Sequence, residues 1–391
     1  MRISLFAATA IATLIAAGSA NAQDAVKIGL ILPYSGQFAD TATQIDNGIK
    51  LYMKQHGDTV AGRKIEIIRK DTGGVAPDVA KRLAQELVVR DKVDMLAGFA
   101  LTPNAMAASD VSDQAKKFMV IMNAATSIIT TKSSYSTRTS MTLPMVGETM
   151  GGWAHKSGIR KAYTMVSDFG PGHDAEGAFH RAFKAAGGEI VGSVRMPVAN
   201  PDFSAFVQRA KDLNPESIFI FVPGGAQPAA LGKAFAERGV DPTKIKIMGT
   251  GEVVDEQALK SMGDAALGII SAWHYDYNLD SKMNKDFVAA HNAEHKRNPD
   301  FFSVGGYDGM HVIYEALKKA GGKTDGEALI AAAKGMKWES PRGPVSIDPE
   351  TRDIIQTIYI RKAQKVGNEI RNVVFDQVDK VKDPVKAAMK K

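Results

Sequence analysis

The chain has 391 residues, a formal net charge of +6 and no cysteine. Disulfides, cysteine-held metals, thiol catalysis and a lipid-bearing cysteine anchor are therefore excluded. The small positive excess is partly gathered in the tail KVKDPVKAAMKK, which reads as a solvated, frayed end. No basic face interleaved with aromatics appears, so nucleic acid is not an expected partner.

Residues 1–22 begin with Arg2, continue through the uncharged run ISLFAATAIATLIAAG and end on Ala20-Asn21-Ala22. That is the layout of a secretory signal peptide cleaved after Ala22; the run is too short and too alanine-rich for a transmembrane anchor. Export without an anchor points to the periplasm, with no direct membrane insertion of the mature chain.

Beyond residue 22, strand-like and helix-like runs alternate. VKIGLILPYS (26–35) has a buried-strand pattern, and Ile45, Ile49, Leu51 and Met53 repeat at helical spacing. KIEIIRKD is strand-like, PDVAKRLAQELVVRD an amphipathic helix opened by Pro77. VDMLAGF, a helix from about Pro103, and FMVIMNAAT complete a β-α-β series, which implies a parallel sheet with helices on both faces. A second such series runs from KAYTMVSD at 161 to GIISAWHY at 268–275, with the join near Thr139–Gly147. Helices at 282–297, 304–320 and 326–335 follow. Two alternating runs, PVSIDPETRDIIQTIYIRK and NEIRNVVFDQV, read as antiparallel edge strands around Pro349 and a turn at Lys362–Gly367. The fold class is α/β with two doubly wound lobes: 23–142 plus 275–345, and 143–274 plus 346–391. A chain that revisits its lobes crosses between them repeatedly, which makes a hinge over a shared cleft.

Two motifs suggest enzyme chemistry and lack its requirements. Gly170, Gly172 and Ala175 fit the dinucleotide pattern G-x-G-x-x-A after a strand. The acid needed at the end of the next strand is missing, because Arg195-Met196-Pro197 stand there and Glu189 is at the wrong end. The turn is better read as a wall of a ligand cleft. HNAEH (291–295) has the spacing of an inverted zinc-protease helix, but its polar surroundings favour a solvated face. No metal and no cofactor are expected. Thr102 and Thr126 each stand where a strand ends and a helix begins. Read from the pattern alone, they are either a carboxylate cradle with helix-start N–H groups or simple N-caps.

Several blocks in this order carry a resemblance: KIGLILPYSGQFAD, DTGGVAPDVAKRLAQELVVRDKVDMLAG, FMVIMNAATS, SDFGPGHDAEGAFHRAFKAAGGEIVG, NPDFSAFVQRAKDLNPESIFIF and GGYDGMHVIYEAL. Nearly the whole mature chain resembles the leucine/isoleucine/valine-binding proteins of ABC importers, which have the type I periplasmic binding fold. The resemblance implies two lobes joined by three crossings, a monomer, and an inner-membrane ABC permease as partner. It implies a ligand carboxylate held at Leu101-Thr102 and at Ala124, Ala125 and Thr126. The second lobe departs from the family: Phe169 and His173 occupy a turn where members place a tyrosine, and Gln227 follows Ala226 where another aromatic is expected. Glu252 stands near the position of the acid that pairs with an α-ammonium. The departures point to a small carboxylate without an α-amino group, an aromatic acid such as benzoate or hydroxybenzoate. Phe38, Phe99, Phe169, Phe302, Trp273 and Tyr307 would supply walls, and His173 or Glu252 a hydrogen bond to a ring hydroxyl. The alternatives are an apolar amino acid as ligand, a sensor component of the same fold, or a periplasmic enzyme.

Overall fold

Seven residues, VKIGLIL, form β1 (Val26–Leu32), buried along nearly all its length, as a parallel strand covered on both faces requires. The structure is a computed structural model that describes residues 24–389 apart from 241 and 243; the export signal expected at 1–22 lies outside them. The chain continues through α1 (Ala39–His56), β2 (Thr59–Val60), β3 (Arg63–Asp71), α2 (Pro77–Val89) and β4 (Met95–Gly98). Then come α3 (Thr102–Gln114), β5 (Phe118–Ile121) and β6 (Ser136–Arg138). These strands form one sheet in the order β2-β3-β1-β4-β5-β6, parallel except for β2 on β3.

After a first crossing the chain forms α4 (Leu143–Lys156), β7 (Lys161–Ser167), α5 (Gly170–Ala185), β8 (Glu189–Met196) and α6 (Phe203–Asp212). It goes on through β9 (Ser217–Phe221), α7 (Gln227–Arg238), β10 (Lys246–Thr250), α8 (Glu256–Met262) and β11 (Ile270–Trp273). A second crossing returns it for α9 (Lys282–His295), α10 (Phe301–Lys319) and α11 (Gly326–Ala333). These pack back on the first lobe, α10 along α1 and α11 against β5 and β6. A third crossing leads to β12 (Lys337–Ser340), β13 (Gly343–Ile347), β14 (Ile354–Val366), β15 (Glu369–Val381) and α12 (Pro384–Ala388).

The second sheet runs β12-β13-β14-β11-β10-β9-β7-β8, with β15 paired to β14. The fold is α/β, two doubly wound lobes with three crossings. Lys337–Ile347 hydrogen-bonds into the second sheet, although the expected division carries the first lobe to 345. Of the two C-terminal runs expected at an edge, β14 is interior, held by β13, β11 and β15. The tail as far as Met389 is held in place. Asp383 caps α12, and Lys386 is buried with its Nζ 2.6 Å from Asp353 Oδ2.

In each sheet the strand order reverses beside its first strand, β3-β1-β4 in one and β8-β7-β9 in the other. Loops diverge at such a switch point and leave a crevice at the carboxyl ends of the strands. The two crevices face each other.

Candidate ligand-binding site

A small cavity lies between the lobes. The loops after β1, β4 and β5 contribute Phe38, Ala100–Thr102, Asn123 and Ala125 to its lining, with Thr41 of α1. Those after β7, β9 and β10 contribute Phe169, Pro171, Phe221, Pro223, Gly224 and Glu252. Leu143 from the first crossing and Phe302 from the start of α10 complete it. A larger open hollow between α4 and β15 is lined by charged groups such as Glu148, Lys156 and Asp376 and lies away from the strand ends, so the interlobe cavity is the candidate site.

On the first lobe, Phe99 takes φ 62°, a left-handed conformation that is costly for a large side chain. The twist sends its ring into the core with Ile31, Ala105 and Ile121, while Ala100, Leu101 and Thr102 reach the cavity. No side chain caps α3. Its first-turn N–H groups have no intrahelical acceptor, and they carry the positive end of the helix dipole. Thr126 Oγ1 donates to Thr102 Oγ1 at 3.0 Å, so neither hydroxyl caps a helix and the Thr102 hydrogen remains available to another acceptor. Buried Arg138 fixes the loop behind, donating to Ala124 O at 3.0 Å and Ser127 O at 3.3 Å. The Thr102 hydroxyl reaches this mainly apolar lining beside the uncapped start of α3, and a hydroxyl with helix-start amides is a donor set for a carboxylate.

On the second lobe, Phe169 stacks on Phe221 with ring centroids 6.0 Å apart. The two glycines of the dinucleotide-like pattern have packing roles. A Cβ on Gly172 would lie 1.9 Å from Ser167 O, so this glycine makes the tight strand-to-helix turn. A Cβ on Gly170 would lie 3.0 Å from Thr126 Oγ1 on the opposite lobe, so this glycine lets the lobes meet. The Ala226 N–H donates to Gln37 O at 3.3 Å, and the Ser127 N–H to Asp174 Oδ2 at 2.7 Å, both across the cleft. This is the closed arrangement.

Glu252 is 5 % exposed, lines the cavity, and leaves Oε2 without a hydrogen-bond partner. Burial, reinforced by the carboxyl of Asp255, pushes its pKa well above the usual range, against the pull of the Gly224 N–H. Asp255 on the second lobe and Asp300 on the first are buried beside each other and are likewise raised, by burial first.

The expected wall and binding residues divide. Phe38, Leu101, Thr102, Ala125, Phe169, Glu252 and Phe302 line the cavity. Thr126 stands one hydrogen bond behind Thr102. Phe99 and Ala124 face the core between β4 and α3 instead. The chain bends at 122–123, just past β5, and there Asn123 and Ala125 reach the lining while Ala124 faces the core. His173 is exposed and bonded to Asp168 Oδ1 at 2.7 Å, outside the cavity. Gln227 is buried and donates to Val198 O at 2.7 Å. Tyr307 donates to Gln55 Oε1 at 2.7 Å and packs on Tyr52 and Phe287, far round α10 from Phe302. Trp273 packs on Phe301 in the core.

HNAEH is a solvated face only in part: Ala293 and Glu294 are exposed, and His291 is not. His291 is buried, with Nδ1 2.9 Å from Arg297 O and Nε2 3.1 Å from Ser303 Oγ, and burial lowers its pKa to about 4. Both ring nitrogens are engaged in packing. Among the described residues, no cluster of three or more His, Asp or Glu is placed to hold a metal.

The profile of the periplasmic binding protein family matches residues 25–368. The chain belongs to that family. This binding protein is 44 % identical over 364 residues to a Leu/Ile/Val-binding protein homolog 6 of Brucella melitensis, with 93 % of each chain covered. A solute-binding protein of an ABC transporter from Rhodopseudomonas palustris BisB5, solved with 3,4-dihydroxybenzoic acid, is 55 % identical with TM-score 0.90, covering 93 % of this chain and 99 % of its own. Another from R. palustris HaA2, solved with p-hydroxybenzoic acid, is 41 % identical with TM-score 0.91, covering 93 % and 100 %. The binding protein is thus an ABC-transporter solute-binding component. No helix among the described residues is long and apolar enough to cross a membrane.

Proposed function

We propose that this protein binds a small aromatic carboxylate between its lobes in the periplasm, after cleavage at Ala22, and delivers it unaltered to an inner-membrane ABC permease. The observation that carries the reading is the joining of Thr102 and the α3 amides to a cavity walled by Phe38, Phe169, Phe221 and Phe302. The ligand carboxylate accepts from the Thr102 hydroxyl and helix-start N–H groups, and the ring lies among the phenyl side chains. The ligands of the two R. palustris proteins, both hydroxybenzoic acids, support this choice over a branched-chain amino acid. Ligand contacts from both lobes favour the closed form, so the protein works by hinge closure rather than by turnover.

A thermal-shift panel on ligand-stripped protein tests the reading. At about a hundred times Kd a ligand adds roughly 2.7 kcal/mol of stability. Benzoate, hydroxybenzoates and cinnamates are expected to raise the melting temperature, whereas leucine, valine and phenylalanine leave it unchanged. A response confined to the amino acids would reverse the assignment.

A further inference from the structure

Two oxygens in the cavity lining lack partners. Asn123 is 7 % exposed; its Nδ2 donates to Ala100 O at 2.8 Å, which fixes the amide and leaves Oδ1 unpaired. Glu252, on the other lobe, is bound by the Gly224 N–H and leaves Oε2 unpaired. Buried polar atoms without partners are rare, and each one left so weakens whatever state contains it. Asn123 Oδ1 can only accept, so a matching ligand brings an O–H or N–H donor. Unsubstituted benzoate has none to bring.

The surroundings decide which donor. The Gly170 turn closes on the Thr102–Thr126 pair, whereas the Gly224 turn that holds Glu252 closes on Phe302, 2.7 Å from a Cβ placed there. The carboxylate cradle and Glu252 thus belong to different contacts between the lobes, with the Phe169–Phe221 stack also in the lining. An α-ammonium lies two bonds from its carboxylate and stays at the cradle. A ring hydroxyl lies across the ring from it.

We propose that the ligand is a hydroxylated aromatic acid, and that Glu252, on the lobe facing the carboxylate cradle, reads its ring hydroxyl and sets the preference over benzoate and over α-amino acids. The inference rests on the reading of the cavity as an aromatic-acid site. Burial pushes Glu252 toward its protonated form, in which the carboxyl both donates to and accepts from a hydroxyl.

Calorimetric titration of the ligand-stripped full chain with benzoate, 3- and 4-hydroxybenzoate, 3,4-dihydroxybenzoate and phenylalanine tests it. Wild type is expected to bind its best hydroxybenzoate about tenfold to a hundredfold more tightly than benzoate. Glu252→Leu is expected to reduce that ratio by weakening the hydroxybenzoate far more than benzoate, and Glu252→Gln, which retains a donor and an acceptor, to preserve most of it. Retained benzoate binding also certifies that each variant is folded. Equal affinity for benzoate and all hydroxybenzoates in wild type, as when a water fills the role, would overturn the inference and leave the aromatic-acid site standing. A ratio unchanged in Glu252→Leu would do the same. Binding of phenylalanine alone would overturn both.

Discussion

At the scale of single residues, the two threonines do different work. Thr102 lines the cavity and Thr126 orients it from behind. Thr102→Val leaves a buried carboxylate short of one donor, a loss of about 1–3 kcal/mol, or roughly tenfold to a hundredfold in Kd. Thr126→Val removes only the orienting bond and is expected to cost less, a few-fold. Titration of both variants with the same aromatic acid checks the order; Thr126→Val as the more damaging change would contradict it. Some of this was legible in the residues. Phe302 and Tyr307 are five apart, about 140° round a helix at roughly 100° per residue, and cannot share one wall. Phe99 was not legible, because its ring is aimed by a left-handed backbone that no local pattern announces.

At the scale of elements, the alternation of strands and helices was readable because buried parallel strands and amphipathic helices impose different periods. What escaped came from distant partners. His291 is held in the interior by Ser303 of α10 and the 297 carbonyl, and Lys386 of the lysine-rich tail by Asp353. Neither partner is visible from a local window. The Gly170–Gly172 turn separates two kinds of constraint within one motif. Gly172→Ala forces a Cβ onto Ser167 O within a single lobe and is expected to lower stability by about 1–3 kcal/mol. In Gly170→Ala the new Cβ meets only Thr126 and Thr102 across the cleft, so it should weaken ligand binding with little change in the melting temperature of the ligand-free protein. Melting and titration of the two variants distinguish these outcomes; a Gly170→Ala protein as unstable as Gly172→Ala would show that the turn has a folding role at both positions.

At the scale of the molecule, closure brings together groups that the open form leaves apart. Asp255 and Asp300 come from different lobes and are buried beside each other, with Asp40, Gln44 and Arg297 around Asp300 and Glu252 beside Asp255. Burial raises both aspartates in the closed form, whereas in water an aspartate titrates near pH 4. Between the ordinary value and the raised ones, the closed form binds more protons than the open form. Closing therefore takes up protons, and affinity falls as pH rises through the raised values.

The central claim, closure of two lobes over an aromatic carboxylate, is tested most directly by titrating the ligand-stripped chain with 4-hydroxybenzoate at about pH 5.5 and about pH 8, each in two buffers of different ionisation enthalpy. The account predicts one molecule bound per chain, net proton uptake at the lower pH, and weaker binding at the higher. An absence of binding to this and every other aromatic acid would contradict the assigned ligand. Binding with no proton uptake and no dependence on pH would contradict the closure that brings Asp255 to Asp300.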